Sequence, residues 1–276
     1  MDEHRPGYSL KAPGASESGR SLRLPGRFPR LDDHLVEAEV TRDEVVAGRR
    51  LIAHPAHPAH ANKQFELDFV LATHLAPGYT GASDLLSRLN QDSDFASDAC
   101  IYKAGTDPET GTRFLEELAF EVVSEQNERV VTEKAAQMHP RGVRRIFAIF
   151  VKGRRRVCEW VPESQSWRVL SRDSQIEDPC LVTPLPVAAL LDAAVAAIAV
   201  VKGLAAQANP ELQRQKSVAK AEGIAESILK FLAARGLTVS EAQRQEILGC
   251  HDLARLDRWL IRAASASSAA EITSEL

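Results

Sequence analysis

Apolar positions along this chain change period several times. From Leu35 to Leu51 short apolar stretches alternate with charges, the pattern of small strands. Phe65, Leu67, Phe69, Val70, Leu71 and Leu75 predict a helix that ends before Pro77-Gly78. Strand patterns follow over 84–89, 97–103 and 114–123. The last two are joined by AGTDPETGT, whose Asp-Pro and Thr-Gly steps are turn chemistry. A helix is expected over 128–138, ending at Pro140 and Gly142. Strands over 143–151 and 155–160 flank Lys152-Gly153, and 167–170 adds another.

After Asp178-Pro179 the composition shifts to Ala, Leu, Glu and Gln with helical period. Gly236 has the position of a helix C-cap, and Ser240 with Gln243 and Ser268 with Glu271 have capping-box spacing. Leu253, Leu256, Leu260 and Ala263 form an apolar stripe. The expected organisation is a tail without period over 1–30, an α/β core over 31–172 and a helical region over 173–276.

Composition narrows the class. An apolar share of 44% and a charged share of 26% are those of a soluble globular protein. A net charge of -4 argues against a chain-wide nucleic-acid trap but leaves room for a local basic cleft. Cys100, Cys158, Cys180 and Cys250 form no CxxC pair, so neither a zinc knuckle nor a disulfide framework is expected, and the cytoplasm is the default location. The most apolar run, 187–201, is shorter than a bilayer span and is interrupted by Asp192. It reads as a buried Ala-rich helix, and no membrane partner is expected.

Chemistry concentrates in SDACIY (97–102) and ELAFEVVSEQN (117–127). Strand alternation puts Asp98 on the side of Cys100 and Tyr102. It puts Glu121 on the side of Ala119 and Val123, with Leu118, Phe120 and Val122 facing a core. An acid inside an apolar strand is costly unless it is paired or holds a cation. Two such carboxylates on linked strands suit Mg²⁺ or Mn²⁺, and Lys134 on the next helix would complete a set able to hydrolyse phosphodiesters. The competing reading is a turn-end aspartate, an edge-strand glutamate and a solvated lysine.

The same stretches resemble the PD-(D/E)XK nuclease superfamily and, within it, the Uma-type restriction endonucleases. FASDACIY, FEVVSEQN, VTEKAAQM and GVRRIFAIFV follow in the family's order and spacing, and DEVVAG (43–48) matches its early acidic segment. The resemblance covers about half the chain. It implies a restriction-endonuclease-like mixed sheet flanked by helices and a Mg²⁺- or Mn²⁺-dependent endonuclease acting on DNA. Asp98 and Glu121 would be metal ligands, with the Val122 carbonyl a third and Glu44 an acidic helper. Two positions depart from the pattern: Ser97 stands where the family has proline, and Val123 where its lysine is expected, which leaves Lys134 as the substitute. The alternative is a catalytically degenerate module that binds nucleic acid or protein.

Other features carry less. His54, His57 and His60 recur every third residue between prolines; a shared polyproline face could bind metal, but a polar connector is the plainer reading. Arg141, Arg144, Arg145, Lys152, Arg154, Arg155 and Arg156 are the densest basic set. They could contact phosphates, and Lys152 to Arg156 reads more simply as a charged turn. Trp160 and Trp167 read as core or cross-strand residues. Residues 228–272 are similar to a helical module found behind transposase-derived nuclease-like domains, which implies an interaction or oligomerisation element, a homodimer included.

Overall fold

The computed structural model describes residues 28–36, 43–52, 57–124 and 128–274. Most of the expected tail over 1–30, and His54, lie outside the described residues. Ten strands and seven helices follow in the order β1 (Asp43–Val46), β2 (Arg49–Ile52), α1 (Pro58–Ala72), β3 (Tyr79–Asn90), β4 (Ser93–Lys103), β5 (Glu116–Val123), α2 (Glu128–Arg141), β6 (Arg145–Phe150), β7 (Arg156–Val161), β8 (Ser166–Val169), β9 (Gln175–Ile176), β10 (Leu185–Pro186), α3 (Ala193–Ala206), α4 (Pro210–Ala234), α5 (Glu241–Leu248), α6 (Leu253–Ala263) and α7 (Ala270–Thr273).

Eight strands form one mixed sheet in the order β2-β1-β4-β5-β6-β7-β8, with β3 paired along the other edge of β4. Ala47 and Gly48, both at positive φ, make the tight β1–β2 hairpin. β5 and β6 are parallel, joined by α2, and every other ladder of this sheet is antiparallel. Both central strands are buried along nearly their whole length because helices cover both faces, although β5 carries Glu116, Glu117 and Glu121. On one side Leu118, Phe120 and Val122 pack with Leu67, Val70 and Leu71 of α1. On the other, Ala119 packs with Ala135 and Met138 of α2. Alternation therefore held for Leu118, Phe120 and Val122, but the opposite face is buried too. Trp160 and Trp167 are a cross-strand pair, ring centroids 5.2 Å apart.

α1 begins earlier than its apolar pattern indicates. His57 is its N-cap and Pro58 sits in its first turn, where a missing N–H costs nothing. Phe65 and Phe69 are exposed, at 77% and 58%, rather than core. The run 187–201 is not one helix: a 3₁₀ turn over Val187–Leu190 precedes Asp192, whose carboxylate caps α3 by accepting from the Ala194 and Val195 amides.

The expected break near 172–180 falls within a continuous hydrophobic cluster. Ile176, Cys180, Leu185, Leu190, Ala196, Ala199 and Val200 are buried with the sheet and α1. At Gly203 a Cβ would stand 2.3 Å from the Thr73 carbonyl oxygen, so α3 lies directly on the end of α1. α4 then leaves α3 at 91°, and α4–α7 build a separate cluster around Ile228, Leu232, Leu256 and Trp259. No single helix of the described residues is long and apolar enough to cross a membrane. In this unit Gly236 (φ +72) closes α4 with Gly236 N–H to Ala233 and Leu237 N–H to Leu232, the paired bonds of a Schellman end. Ser240 and Gln243 form the expected capping box. Ser268 bonds Glu271, but the residue preceding α7 is Ala269, without a side-chain cap.

Candidate functional site

A gap in the sheet organises the polar residues. β3 pairs β4 along its whole length, so β1 and β5 must share the opposite edge of β4. β1 meets that edge only at Asp94, and β5 begins at Ala99. Residues 95–98 thus have no strand partner on that side. Their backbone groups still need partners, and side chains supply them. Glu44 accepts from the Ala96 N–H at 2.9 Å, and the Lys134 ammonium donates to the Ala96 carbonyl at 3.1 Å. Gln64 donates to the Asp98 carbonyl at 2.8 Å, and the Asp98 carboxylate accepts from Val122 N–H of β5 at 2.5 Å.

The strand is irregular here. Phe95, which alternation would place with Ala99 and Ile101, packs instead with Ala119 and the α2 layer. On β3 the ladder skips from Ser83↔Ala99 to Leu85↔Ser97, and Asp84, opposite Asp98, has φ +50. A stretch freed from one neighbour can turn in this way, which aims the Asp98 side chain across the gap.

The register of β4 and β5, continued one step past Ala99↔Phe120, sets Asp98 opposite Glu121. Glu121 is 1% exposed and both its carboxylate oxygens are buried without a hydrogen bond. Its nearest cation is Lys134, with Nζ 3.7 Å from Oε2; the same ammonium is 3.1 Å from Glu44 and 5.2 Å from the Phe95 ring centroid. Burial pushes the Glu121 carboxyl well above the usual range; the Lys134 charge opposes this, while Asp98 and Glu44 add to it. Burial would lower the Lys134 ammonium, but Glu121, Glu44 and Asp98 outweigh it and hold the group charged. The main chain adds one more acceptor. Val123 carbonyl accepts from Val151 on the β6 side, so alternation turns the Val122 carbonyl, like its N–H, toward β4 and Asp98.

Every site residue expected from sequence therefore meets at one gap: Glu44 from β1, Asp98 from β4, Glu121 and Val122 from β5, Lys134 from α2. Val123, where a lysine was expected, is buried with Val131 and Phe150. Two further residues reach Asp98 in a way the sequence did not indicate. His60 Nε2 lies 3.2 Å from Asp98 Oδ1, and Gln64, one turn on, reaches both Asp98 and Asp84. The bond to Asp98 raises the His60 pKa against the opposing effect of burial. An i, i+4 polar pair was visible in the sequence, but the prolines disguised the helix that aligns it. His57 and His60 lie on a helix start, not on a shared polyproline face.

Among the described residues, no group of three or more His, Cys, Asp or Glu side chains could hold a metal ion. What the gap offers is a smaller donor set: two carboxylates and a carbonyl, one carboxylate lacking any bond. That fits Mg²⁺, which takes one or two protein carboxylates and fills its remaining positions with water and substrate oxygens.

No family model matches this chain. No curated protein matches it. Among solved structures, a protein of DUF820 from Anabaena variabilis ATCC 29413, provisionally described as a nuclease, is similar at 18% identity and TM-score 0.41. The match covers 50% of this chain and 81% of that one.

Proposed function

We propose that the chain is a metal-dependent nuclease that hydrolyses phosphodiester bonds, with DNA as substrate. The observation that carries this reading is Glu121: a carboxylate buried with both oxygens free of hydrogen bonds, opposite a second carboxylate. Such a group is costly unless something cationic meets it, and Lys134 at 3.7 Å answers only one oxygen. The ordered sequence resemblance points to the same residues.

Asp98, Glu121 and the Val122 carbonyl would hold Mg²⁺ or Mn²⁺, which supplies charge stabilisation at the phosphate and acidifies a bound water. The chain's own residues do the rest. Glu44 fixes the Lys134 ammonium at 3.1 Å, and Lys134, held charged, presents positive charge beside the reacting phosphate. His60 and the Val122 amide hold the two oxygens of Asp98, so its rotamer is set before substrate arrives.

One observation favours the second reading, a non-catalytic nucleic-acid or protein-binding module: Glu44, Lys134, Gln64 and Asp98 all bond backbone groups along the gap, so each has a structural task. Incubation with supercoiled and linear duplex DNA in Mg²⁺ or Mn²⁺ separates the two. Cleavage abolished by Glu121→Gln and by chelation supports the enzyme. No cleavage by a folded wild type in either metal supports the module.

A further inference from the structure

Most of the basic set noted in the sequence is engaged. Arg141 donates to the Pro29 carbonyl and lies over Phe28, Arg144 and Arg145 hold Asp178, and Arg156 pairs Glu128 and covers Phe150. Arg154 and Arg155, in the β6–β7 turn, are exposed and make no ion pair or hydrogen bond with the described residues. Arg155 lines a cavity of about 410 Å³ together with Asn62 and Lys63 of α1 and Phe150 of β6.

No residue of the gap lines this cavity, but the same two elements, β6 beside β5 and the start of α1, lead from one to the other. Glu121 pairs Ala148, and Phe150 lies two residues further along β6, about 7 Å at strand rise. The α1 turn that sends His60 and Gln64 to Asp98 also carries Asn62 and Lys63. Two acids line the cavity, and both are already answered. Glu66 pairs Lys63; Asp192 caps α3 and pairs Arg172 at 3.0 Å. The unanswered charge is that of Arg155, with Arg154 beside it, so the cavity is a place for an anion.

We propose that this cavity binds the phosphodiester backbone of a nucleic-acid strand on one side of the reacting phosphate, with Arg155 and Arg154 as phosphate contacts and Asn62 as a hydrogen-bond donor. The subsite rests on the nuclease reading for its role in turnover, but its binding is testable without turnover.

The test is binding of fluorescein-labelled oligonucleotides, duplex DNA, single-stranded DNA and RNA in separate arms, with EDTA present so that nothing is cut. The variant Arg154→Ser/Arg155→Ser should weaken binding by about tenfold or more at low salt. It should also flatten the slope of log affinity against log salt by about 1.8 on duplex or about 1.4 on a single strand, two phosphate contacts' worth. Lys216→Ser/Lys220→Ser, on exposed positions of α4, removes the same charge elsewhere and should leave both nearly unchanged. Arg155→Lys should retain most of the affinity. Equal losses for the two double variants, no loss for the arginine pair, or no binding by the wild type each overturn the subsite. Binding through the arginines without cleavage in metal would keep the subsite and reject hydrolysis. Cleavage with no arginine effect on KM would do the reverse.

Discussion

Lys134 and Glu121 form a buried pair in which the ammonium stands 3.7 Å from a carboxylate that has no hydrogen bond of its own. Lys134 also anchors to Glu44 and to the Ala96 carbonyl, so it is part of the fold as well as of the site. Lys134→Ala should therefore do two things. It should destabilise the protein by about 3–5 kcal/mol, because two acids are left without their cation. It should also slow DNA cleavage by about 10²-fold or more below the melting temperature. Lys134→Met with Glu121→Gln should recover much of the stability and none of the activity. Thermal melts and cleavage rates on the three proteins check this; an unchanged melting temperature for Lys134→Ala would contradict the pairing.

His60 holds one Asp98 oxygen from the α1 side of the sheet. His60→Ala should lower metal affinity by about tenfold or more, as loss of a group orienting a ligand does. His60→Gln, which can still donate to the carboxylate, should lose less. Metal titrations of the two variants decide it, and equal affinity for His60→Ala and wild type would remove His60 from the site.

The helical end divides in two. Residues through α3 are buried against the sheet and α1, while α4–α7 have their own cluster. A chain ending at Ala208 should fold cooperatively, whereas one ending at Leu181 should not, since Leu185, Leu190, Ala199 and Val200 leave the core. Circular dichroism melts of both distinguish them. If α4–α7 serve self-association, light scattering should show a smaller oligomer for the chain ending at Ala208.

Asp178 ties the turn after β9 to Arg144 and Arg145 at the start of β6. Burial alone would raise its carboxyl, but the Arg144 guanidinium and the Cys180 amide pull it down to about 2. Its folded pKa lies below its unfolded one, so the stabilisation is full above about pH 4 and is lost as pH falls toward about 2. Its size is at most about 2 kcal/mol, and smaller because Arg144 is 40% exposed to solvent. Asp178→Asn should be less stable at neutral pH and should lose less stability than wild type between pH 4 and 2. A parallel acid-unfolding curve for the two proteins would contradict this.

Much of this was legible in the sequence, for physical reasons. Asp98 and Glu121 stand out because acids in apolar strands demand an explanation, and the order of motifs brought Glu44 and Lys134 with them. Three things were hidden. The prolines of AHPAHPAH read as a connector, although Pro58 starts a helix, so His60 and Gln64 lost their shared direction. Phe65 and Phe69 look like core by hydrophobicity, but helix phase turns them outward. The shift to Ala-rich composition suggested a new domain, whereas small residues such as Gly203 are what close packing of α3 on α1 requires. The gap itself has no sequence signature, since it arises from where β1 stops and β5 begins.

The proposed chemistry turns on Asp98 and Glu121 holding a divalent cation. Calorimetric titration of Mg²⁺ and Mn²⁺ into wild type and Asp98→Asn tests it most directly, because asparagine can still accept the Val122 N–H and the fold should persist. Wild type should bind saturably at millimolar concentrations or below, and the variant should lose about tenfold or more in affinity. No saturable binding by a folded wild type, or equal binding by both proteins, would contradict it.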